Sequence, residues 1–185
     1  MFAQLARWFR TDETYDKAST LYIALVEQAR NPFFYAELNV PDSLDGRFEM
    51  VLMHMFLLMH RLKAEPEQSY EELNRQIIEI MFNDMDRSLR ELGVSDTGVG
   101  KRVKKMANAL YGRLHAYEQS ASEDDSLREA VHRNVYGTVK DVDAAHVQAM
   151  AAYCRQALEG LHTQDADKLA EGQITWPAPA STLHQ

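Results

Sequence analysis

The stretch from Ser43 to Lys63 constrains this chain most, because as a helix it is apolar around most of its circumference. Phe48, Val51, Leu52, Met55, Phe56, Leu58, Met59 and Leu62 are interrupted only by Arg47, Glu49, His54, His60 and Arg61. A helix apolar on nearly every side has to be wrapped by other helices. Its longest apolar run, Met50 to Met59 with His54 inside, is about half of the ~20 residues needed to cross a bilayer. A bundle interior is therefore predicted, in a soluble protein.

The rest of the chain supplies the wrapping. A short amphipathic piece opens it, with Phe2, Leu5, Ala6 and Phe9 on one side, Trp8 flanking, and Arg7 and Arg10 opposite. A second helix is predicted from about Thr14 to Arg30, with Ala18, Leu21, Tyr22, Leu25, Val26 and Ala29 at helical spacing. Asn31-Pro32 ends it, since the residue before a proline is pushed out of the α region. NPFFYAELNVPD then reads as an ordered loop, and Ser43 as the cap of the apolar helix. A fourth helix starts near Pro66 and runs to Leu92, with Gly93 suited to the position after its end. GVSDTGVG reads as a turn before a fifth helix ending near Ala121. A sixth follows the acidic SEDDS, and a seventh spans about Ala144 to Leu161. Eight Gly and five Pro in 185 residues are too few for a turn-rich all-β fold. The expectation is an all-α, single-domain bundle of about six to eight helices over residues 1–171, with an irregular tail over 172–185.

Twenty basic against twenty-eight acidic residues give a net charge of -8, which argues against sequence-independent nucleic-acid binding. Cys154 is the sole cysteine, so no intrachain disulfide is possible and a reducing compartment is expected. The opening residues lack the continuous apolar segment of a secretory signal.

Two E-x-x-H pairs, Glu129/His132 and Glu159/His162, have the spacing of a di-iron bundle site. Such a site needs both pairs aimed inward, plus a Glu from each of two further helices. At ~100° per residue, Glu129 and His132 lie away from the Leu127/Val131/Val135 stripe. Glu159 lies off the face of its own helix, and Glu79 lies away from Ile77 and Ile80. His54 reads as a core-edge histidine bonded to a carboxylate, and Cys154 as a packing residue. No catalytic residue, metal or cofactor is expected. A di-iron bundle protein and a structural subunit of another complex stand as the alternatives.

The fifth helix carries better material. Lys101, Lys104, Lys105, Asn108, Gly112 and His115 fall opposite its Val103/Leu110/Leu114 stripe, with Arg102 and Arg113 flanking and no acid between Thr97 and Tyr117. A solvated charged face is the plain alternative. Gly112, however, costs a helix interior about 1 kcal/mol relative to alanine on a face where core packing does not explain it. Tyr111 and the run Phe33, Phe34 and Tyr35 are candidate anchors for a partner.

Two ordered stretches, Asn31 to Leu62 and Phe82 to Tyr117, resemble the ubiquinol–cytochrome c chaperone family. Its features here are P-D-x-x-D-G-R-F-E at Pro41–Glu49, N-D-M-D-R-x-L-R-E-x-G at Asn83–Gly93, V-G-K-x-x-K-K-M, and Tyr111-Gly112-Arg113. Leu110 stands where the resemblance leads one to expect an aromatic. The likeness covers about residues 14–161. It implies a non-enzymatic, all-helical chaperone that engages newly made cytochrome b during assembly of respiratory complex III. It also implies action on the cytoplasmic side of a bacterial inner membrane. The ribosome exit region and an anionic membrane surface are further implied contacts, with no specific nucleic acid. The polar framework of the motifs is then Asp42, Asp45, Arg47, Asp84, Asp86, Arg87 and Arg90. Ion pairs fixing how the third and fourth helices cross are the plain alternative for Asp45, Arg47, Asp84, Arg87 and Arg90. Lys101, Lys104, Lys105 and Arg113 become the charges facing client, lipid or ribosome.

Overall fold

In a computed structural model, residues 2–65 and 70–179 are described, with side chains from residue 13 onward. The fold is all-α. The helices are α1 (Phe2–Ala29), α2 (Pro32–Ala36), α3 (Leu44–Lys63), α4 (Glu71–Glu91), α5 (Asp96–Ser120), α6 (Asp124–Val135), α7 (Ala144–His162) and α8 (Ala166–Ala170). No strand occurs among the described residues. The side chains of the opening amphipathic piece, Phe2 to Arg10, lie outside the described residues.

Helix α3 is the axis of the bundle, as its composition predicts. Fourteen of its 20 residues are buried, and it packs against α1, α5, α6, α7 and α8. Ser43 caps it by accepting from the Gly46 amide at 3.1 Å. Gly46 is required there, since a Cβ would fall 2.0 Å from the Pro41 carbonyl oxygen. This close approach accounts for the Pro41–Gly46 spacing of the first motif.

Several boundaries differ from the sequence expectation. The opening piece and the second helix are one continuous α1 of 28 residues. Asp12–Thr14 is polar but contains neither Gly nor Pro, so nothing there stops a helix; Glu13 and Lys17 form an i,i+4 pair across the supposed break. The aromatic loop contains α2. Asn31 caps it through the Phe33 amide at 3.0 Å, and Pro32 occupies its first turn, where proline's fixed φ suits a helix. Helix α5 begins at Asp96, so Gly98 and Gly100 lie within it rather than in a turn. After α7, Asp165 caps an additional short helix, α8.

The stretch after Gly172 is irregular but docked. Gln164 and Thr175 exchange two hydrogen bonds, at 2.8 and 2.9 Å, and Ile174 and Trp176 pack on the core. The Trp176 ring stands edge-on to His54 at 5.1 Å. His54 is fully buried, and its partners are not the expected carboxylate. Its Nδ1 lies 2.8 Å from the Met50 carbonyl and its Nε2 2.8 Å from the Tyr153 hydroxyl. A carbonyl only accepts, so Nδ1 carries the proton and Nε2 accepts from Tyr153. Burial lowers the His54 pKa to about 4. The neutral ring is thus the folded form, and a fixed tautomer joins α3 to α7.

Candidate docking face

Helix α5 sorts its residues by period. Val99, Met106, Leu110 and Tyr117 are buried. Lys101, Arg102, Lys104, Lys105, Asn108, Tyr111, Gly112 and His115 are exposed. The sequence-predicted face therefore exists as one continuous surface, and none of its three lysines makes an ion pair among the described residues. Tyr111 stands on it 66% exposed. A Cβ at Gly112 would meet nothing within 4 Å, so the described residues give no steric reason for glycine at that position.

Arg113 faces elsewhere. Its Nε and Nη2 donate to both carboxylate oxygens of Glu49 at 2.9–3.1 Å. Burial raises the Glu49 pKa against the opposing pull of Arg113. The pair ties α5 to α3 and removes Arg113 from the free positive charges. The aromatic run is likewise inward rather than displayed. Phe34 is fully buried, 4.9 Å from the Tyr153 ring centroid. The Tyr35 hydroxyl donates to the Ala29 carbonyl at 2.8 Å, and Phe33 is partly buried against the core. One turn of α2 suffices to swing these apolar rings under the chain, which leaves Tyr111 as the exposed aromatic of the proposed set.

The polar framework does not fix the crossing of α3 and α4. Arg47 pairs with Asp42 at the start of α3, and Asp45 is exposed beside them. Asp84 accepts from Arg87 at 2.6 Å and from the Tyr22 hydroxyl at 3.0 Å, joining α4 to α1. Arg90 binds Asp86 within α4 and Asp96 at the start of α5. Asp84 and Arg90 thus attach α4 to its two neighbours, α1 and α5, while Asp42 and Arg47 pair locally at the start of α3.

Sequence reasoning missed a groove of about 850 Å³ between α1 and α4, lined among others by Tyr15, Tyr22, Ile23, Asn83, Asp84 and Arg87. Ile23, 55% exposed, was a readable signal, since it falls outside the Leu21/Leu25 stripe. Glu129, His132, Glu159, His162 and Glu79 are all exposed, so the E-x-x-H pairs do not meet in the core. No group of three or more His, Cys, Asp or Glu suited to a metal occurs among the described residues. Cys154 is fully buried, and burial pushes its thiol up to about 12, as suits a packing residue. No described helix is long and apolar enough to cross a membrane.

Residues 36–176 match the family model described as ubiquinol-cytochrome C chaperone. The chain belongs to this family. The matched stretch reaches past α7 to Trp176, the tail residue seated on His54. The crystal structure of the Cbp3 homolog from Brucella abortus superposes with a TM-score of 0.78 at 35% identity, covering 96% of this chain and 97% of that one. Among curated relatives, mitochondrial protein CBP3 of Saccharomyces cerevisiae is 25% identical over 150 residues, 80% of this chain and 45% of its own length. The human ubiquinol-cytochrome c reductase complex assembly factor 1 is 26% identical over 161 residues, 86% of this chain and 53% of its own length. The chain spans about half the length of these two relatives.

Proposed function

We propose that this protein is a non-enzymatic assembly chaperone of respiratory complex III that holds immature cytochrome b through the exposed face of α5. The observation that carries the assembly role is the family match over residues 36–176 together with near-complete superposition on the Brucella Cbp3 homolog. The face itself is supported by three lysines without an ion pair among the described residues, an exposed tyrosine and an unexplained glycine in one row on an otherwise acidic chain. Aromatic anchors within a polar setting favour specific protein contacts. Lysines near an anionic surface add about 1 kcal/mol each. In this reading the protein works on the cytoplasmic side of the inner membrane as a peripheral partner, with the bilayer surface and the ribosome exit region as secondary contacts.

Deleting the gene is expected to abolish assembled complex III and its b-type haem signal while other respiratory complexes persist. Normal complex III in the deletion strain would sink the assembly role. Reversing Lys101, Lys104 and Lys105 to Glu should leave the circular dichroism spectrum intact and remove cytochrome b from pull-downs. Unchanged capture by that variant would take the α5 face out of the mechanism.

A further inference from the structure

A smaller cavity of about 240 Å³ opens beside the lysine face, where the first turn of α3, the middle of α5 and the end of α6 meet. Lys105 belongs to both the face and the cavity. Across the mouth stand Lys105 and Arg133, both exposed and both without a side-chain partner among the described residues. Asp45 is the opposing acid. Glu49 and Arg113 also line the cavity but cancel each other. Two free cations against one carboxylate leave the opening positive on a chain of net charge -8.

The floor supplies an independent observation. Asn134, 5% exposed, also lines the cavity, and its Nδ2 lies against the hydroxyl of Tyr117, where the two groups are both donors and neither finds a well-directed acceptor among the described residues. A buried donor left unmet costs about 1–3 kcal/mol. A half-turn of the carboxamide exchanges two nearly isosteric groups. Turned that way, the carboxamide would accept from Tyr117 at Oδ1 and offer Nδ2 to the cavity. A buried neutral donor behind two cations matches a carboxylate, which accepts at both oxygens and carries the opposite charge. The volume admits a single acidic side chain and excludes a helix.

We propose that this cavity is a carboxylate pocket that takes one Glu or Asp side chain from a polypeptide lying on α5. The proposal rests on the reading of α5 as the docking face and adds the feature that sets register along it. Asn134 and Arg133 hold the carboxylate, and Lys105 connects the pocket to the lysine row.

The test uses the full chain, labelled with ¹⁵N, titrated with N-acetyl-glutamate methylamide, its glutamine counterpart or inorganic phosphate. The blocked glutamate is expected to shift the Asn134 side-chain amide and the Arg133 backbone amide saturably, and the glutamine analogue to leave them in place. Arg133→Gln, at an exposed position, and Asn134→Asp should each weaken the response at least tenfold with the circular dichroism spectrum unchanged. Equal shifts from the glutamine analogue, phosphate binding as tight as blocked glutamate (an adventitious ion only), or full binding by Arg133→Gln would overturn the pocket. Loss of the pocket leaves the lysine-reversal pull-down to decide the docking face separately. A functioning pocket in a protein whose lysine-reversed form still captures client would sink the docking face instead.

Discussion

Replacing Gly112 by Ala separates a helix's own stability from its use. Glycine in a helix interior is about 1 kcal/mol less favourable than alanine, because its unfolded chain has more freedom to lose. At Gly112 nothing offsets that cost, since an added Cβ would meet no atom within 4 Å and φ is not in the left-handed region. The variant is therefore expected to gain about 1 kcal/mol in urea unfolding, or roughly 2–4 °C in Tm for a domain of this size. If the glycine serves close approach of a client backbone, the same variant should capture cytochrome b more weakly although it folds better. Gly100→Ala, on the same helix with equally open space, is the control. It should gain similar stability, and its binding should change less, because Gly100 lies three turns from Tyr111. The reasoning fails if Gly112→Ala loses stability, which would mean the helix is strained there, or if it gains stability with client binding unaltered.

Other outcomes follow from the buried groups. Arg113→Met strands the Glu49 carboxylate and should cost about 3–5 kcal/mol at pH 7; a Glu49→Gln/Arg113→Met double variant should recover most of that in urea melts, and an additive double variant would show the pair to be uncoupled. His54 titrates near 4 when folded, against 6.5 ordinarily. The unfolded state therefore takes up the proton first, and stability is lost as pH falls from 6.5 towards 4, by about 3 kcal/mol in total. His54→Gln should flatten that slope, and an unchanged pH profile would refute the assignment. Trp176→Ala should cost about 2 kcal/mol, less than the 3–5 typical of a fully buried tryptophan because this one is partly exposed, and should speed amide exchange in residues 173–176. Leu57→Ala, at a fully buried position on the central helix, should cost about 2–5 kcal/mol by the same measurement.

The all-round apolar character of α3 made the bundle and its axis legible, because burying such a helix admits few solutions. Period alone also placed the α5 lysines correctly on an open surface. What period could not show was where polar side chains find partners distant in sequence. Arg113 looked like one more surface cation until Glu49, 64 residues away, claimed it. His54 met a tyrosine 99 residues on rather than an acid. The aromatic run lies inward for a local reason: Asn31 and Pro32 both end one helix and begin another, and a single helical turn is enough to bury Phe34. Gly98 and Gly100 suggested a turn because their helix cost is real, but the packing of α5 on α3, α4 and α6 overrides it. The α1–α4 groove and the pocket at the end of α6 are products of how helices cross, which no single helix's pattern contains.

The seat of Trp176 against His54 has a bearing on how the protein is made. Residue 54 emerges from the ribosome long before residue 176, at about 5–20 residues per second, so for several seconds the polar centre of the central helix waits without its indole cover. A nascent chain halted before that point carries a half-closed core, and it reaches its finished fold only once the closing strap has been synthesised and has settled across the bundle.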